Sequence, residues 1–60
     1  MSVNEVISSL KVALSSNDDQ KIAKYVEEGQ KIAWHTITEP LRSEWYELLN
    51  KAALRKGPLN

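Results

Sequence analysis

The stretch DDQKIAKYVEEGQKIAWHTI, Asp18 to Ile37, is the longest run of helical spacing in the chain, and its reading decides the fold. Ile22, Tyr25, Val26, Gly29, Ile32, Ala33 and Ile37 recur at i, i+3, i+4 and i+7, which places them on one stripe. Lys21, Lys24, Glu27, Glu28 and Lys31 take the opposite side and include opposite-charge pairs three and four apart, as a solvated face does. In the middle of the stripe, where bulk is expected, stand Gly29 and Ala33. A glycine inside a helix costs roughly 1 kcal/mol relative to alanine. The stripe therefore predicts a helix over 18–37 whose small residues, Gly29 and Ala33, mark a close crossing by another helix. On that reading Gly29→Leu overpacks the contact, and Gly29→Ala tests propensity alone.

On the N-terminal side, Val3, Val6, Ile7, Leu10, Ala13 and Leu14 form a narrower stripe and predict a helix over 3–15. Ser2 and Glu5 have capping-box spacing. Three β-branched residues and several serines make this a weak helix by propensity, so packing must hold it. The segment Ser15 to Asp18 ends it. Asn17 with Gln20, or Ser16 with Asp19, is expected to cap the next helix.

On the C-terminal side, Pro40 fits a first turn, with Thr38 or Glu39 as cap. Leu41, Trp45, Leu48, Leu49 and Ala52 follow at helical spacing, and a second stripe runs through Tyr46, Leu49 and Ala53. A third helix over 39–56 is expected, stopped by Gly57 and Pro58. One long helix over 18–56, kinked at Pro40, is the alternative. The fold class is all-α: a small three-helix bundle, or a helical hairpin plus third helix, forming one domain over 1–60 and expected to be completed by dimerisation.

The dimer expectation comes from size and aromatic placement. Sixty residues bury only about 60% of their unfolded surface, and such scaffolds usually need a disulfide, a metal or a partner. The chain has no cysteine and one histidine, which leaves little for a metal site, so no metal or cofactor is expected. Trp34 and Tyr46 lie off the main stripes. With Leu49 and Ala53 they are the candidate protein-interaction residues, pointing to a homodimer contact or to a protein partner.

Other functions find less support. Serines lie at predicted helix surfaces and caps, with no base and orienting acid spaced to serve them. His35 falls on the polar side, and Glu27 and Glu28 are adjacent, so they do not face each other on a helix. No enzyme is expected. Net charge is zero, with three Lys against five Asp or Glu in residues 1–30 and five Lys or Arg against three Glu in 31–60. This balance disfavours a general phosphate binder. Lys51, Arg55 and Lys56 are nevertheless candidate phosphate contacts, and a small DNA-binding regulator is the alternative function. No apolar run approaches the roughly 20 residues of a membrane span, and the start MSVNEVISSL lacks the basic and apolar regions of a signal peptide. A cytoplasmic, non-enzymatic adaptor or regulator that binds protein through an apolar helical surface is the expectation.

Overall fold

A computed structural model describes residues 1–55. Over these residues the chain is all-helical: α1 spans Val3–Ser15, α2 Asp19–Gly29 and α3 Leu41–Arg55, with a single 3-10 turn, Trp34–Thr36, between α2 and α3.

α1 begins as its capping box dictates. The Ser2 hydroxyl accepts from the Glu5 N–H at 3.2 Å, and the Glu5 carboxylate accepts from the Ser2 N–H at 2.9 Å. These reciprocal bonds hold the Glu5 carboxyl below its ordinary range, chiefly through the Ser2 backbone N–H. The helix ends in a Schellman turn. Asn17 adopts a left-handed conformation (φ 53°), its N–H donates to the Leu14 carbonyl, and the Asp18 N–H reaches back to Ala13. Asn17 therefore closes α1 instead of capping α2. The cap of α2 is Asp18, whose carboxylate accepts from the Lys21 N–H at 3.2 Å. Neither Asn17 nor Ser16 takes that role, because the left-handed residue is needed one position earlier.

The expected helix over 18–37 stops at Gly29. Beyond it, the Ile32 N–H returns to the Gly29 carbonyl, and the Trp34 N–H bonds Ile32 across Ala33. Ala33 has φ −81° and ψ 79°, the geometry of an inverse γ-turn. Helices two and three are thus separate, and the kinked single helix does not occur. Before α3, the Glu39 carboxylate accepts from the Ser43 N–H at 3.1 Å, and the Pro40 carbonyl accepts from Glu44. The Glu39 side chain thus caps the Ser43 N–H from one position further out. Pro40 stands immediately ahead of Leu41, not in the expected first turn, because its carbonyl accepts the first helical bond. The stop signal at Gly57 and Pro58 lies outside the described residues.

α1 packs on both α2 and α3. Its Val6 and Leu10 are wholly buried, with Ile7, Ala13, Ile22, Trp34, Trp45, Leu48 and Ala52 around them. α2 and α3 run antiparallel: Gly29 lies against Trp45 at one end, and Asp19 pairs with Arg55 at the other. Among the described residues no buried side-chain polar atom lacks a hydrogen-bond partner.

Candidate functional site

The C-terminal end of α2 explains why the helix stops where it does. A Cβ added at Gly29 would lie 2.7 Å from Cζ2 of Trp45, with Cη2 and Cζ3 closer still. The Trp45 ring occupies the space that any other residue would fill. Trp34 stacks on the Trp45 ring system, with centroids 4.8 Å apart and planes 7° from parallel. Its indole N–H donates to the Gly29 carbonyl at 2.8 Å. That carbonyl belongs to the last turn of α2 and also accepts from the Ile32 N–H at 3.1 Å, so the indole is its second donor at the helix end. Such stacked pairs contribute about 0.5–1.5 kcal/mol beyond the area they bury.

The arrangement corrects two site assignments. Trp34 is only 6% exposed and is buried within its own chain, so it is not part of an exposed patch. Being off the stripe carries no meaning for it, because residue 34 is not in the helix that defined the stripe. Of the two aromatics behind the dimer expectation, Tyr46 alone stays on the surface, 54% exposed. Gly29 does mark a close approach, but the approaching group is an indole ring and not a helix backbone. Ala33 marks no crossing: it is exposed in the γ-turn.

Tyr46 and Ala53 are exposed on α3, and Leu49 between them is half-buried. Beside this flank runs an open groove of about 490 Å³ between α2 and α3. Ile22, Ala23, Val26, Leu49, Ala52 and Ala53 line it, with Glu27 and Gln30 from α2. The groove exists because α1 fills one side of the α2–α3 pair and no described element fills the other. Sequence reasoning found its α3 wall. On the α2 wall it placed Ile22 and Val26 on the apolar stripe but missed Ala23, Glu27 and Gln30, because Glu27 read as solvated face and Ala23 carries too little bulk to signal anything.

The basic end of α3 is less available than its composition suggests. Arg55 bonds Asp19 at 2.8 Å, across 36 positions of sequence. Lys51 opens onto a shallow depression between α1 and α3 that it shares with Lys11, Glu44 and Glu47, and there Lys11 lies 3.8 Å from Glu44. Two glutamates beside Lys51 oppose a phosphate. Lys56 lies outside the described residues. His35 is exposed on the 3-10 turn. Among the described residues, no cluster of three or more His, Asp or Glu is placed to hold a metal ion, and no helix is long and apolar enough to cross a membrane.

Compared with protein-family models, with curated proteins and with solved structures, the chain finds no match.

Proposed function

We propose that the protein is a small non-enzymatic adaptor or regulator that acts by binding another protein through the outer flank of α3 and the groove beside it, in the cytoplasm. The observation that carries this reading is the open apolar groove, continuous by helical spacing with Tyr46, Leu49 and Ala53. Tyrosine is among the residues enriched at binding hot spots, and a concave apolar surface beside it gives a partner side chain somewhere to go.

The experiment is affinity capture from the source cell with the wild-type chain, Tyr46→Ala and Ala53→Glu side by side. Both positions are exposed, so both variants should keep the helical circular dichroism and melt of the wild type. The reading expects a partner held by the wild type and lost by Ala53→Glu. A partner retained equally by all three, or none held by the wild type, would count against it.

A further inference from the structure

We draw no further inference here: the strongest candidate, the open apolar groove between α2 and α3, carries nothing, because nothing among the described residues shows what covers it.

Discussion

Replacing Gly29 by alanine sets two effects of opposite sign against each other. Alanine favours a helix interior by about 1 kcal/mol over glycine, but Gly29 is the last residue of α2 and would gain only part of that. Against it stands the Trp45 ring, whose Cζ2 would be 2.7 Å from the new Cβ. The ring has nowhere to go. Trp45 is 1% exposed, and Trp34 is stacked against it. Overpacking of this kind costs about 1–3 kcal/mol, so the clash wins. A net loss of about 1–2 kcal/mol should lower Tm by roughly 4–16 °C in a domain of this size. The assay is a thermal melt followed by circular dichroism, repeated in urea. Trp45→Phe serves as the second arm, because phenylalanine lacks the six-membered ring of the indole that meets the Cβ. In that background Gly29→Ala should cost at least about 1 kcal/mol less, a coupling that only contacting residues show. If Gly29→Ala leaves Tm unchanged or raises it, the proposed contact between Gly29 and Trp45 is wrong.

Three further outcomes follow from the same geometry. Trp34→Phe keeps an aromatic face on Trp45 but leaves the Gly29 carbonyl with the Ile32 N–H alone, so it should cost about 0.5–1.5 kcal/mol by urea melt; Trp34→Ala should cost about 3–5 kcal/mol and leave little folded chain. Asn17 already pays the strain of φ 53°, so Asn17→Gly should be neutral or stabilising by up to about 1 kcal/mol, and Asn17→Ala should destabilise by about 1 kcal/mol, both read from Tm. The Glu5 and Glu39 carboxyls are held below the ordinary glutamate value of 4.5, Glu5 by the Ser2 N–H and Glu39 chiefly by its bonds to Ser43. A lowered folded-state pKa contributes stability that is present above 4.5 and is lost as pH falls through the lower folded value. Melts from neutral pH downward should therefore fall below about pH 4.5, and the double change Glu5→Gln, Glu39→Gln should flatten that fall; an unchanged profile would contradict these caps.

The parts of the fold that local chemistry determines were legible. The box Ser2–Glu5 and the stripe from Val3 to Leu14 place α1 at its observed bounds, and Leu41 to Ala52 place α3. The segment after Gly29 was not legible, because periodicity cannot see a helix end made by tertiary contact. Ile32 and Ile37 fall on the extended stripe by arithmetic and do pack against the core, but from irregular backbone. At the end of α2 the Gly29 carbonyl accepts from an indole five residues further on as well as from the Ile32 N–H. The one local hint was Gly29 itself, a residue poorly suited to a helix interior and better suited to its last turn. The α2 wall of the groove stayed hidden for a different reason. A groove is the absence of a neighbour, and no spacing rule within one helix reports what fails to pack on it.

The central structural claim is that one chain closes its own core through Trp34, Trp45 and Gly29. Proton NMR of Gly29 across a wide dilution series tests it most directly. The account predicts Gly29 α-protons shifted strongly upfield by the indole ring above them, a Trp34 indole N–H that exchanges slowly with solvent, and neither signal changing on dilution. Ordinary glycine shifts, a rapidly exchanging indole, or signals that collapse as the protein is diluted would contradict it.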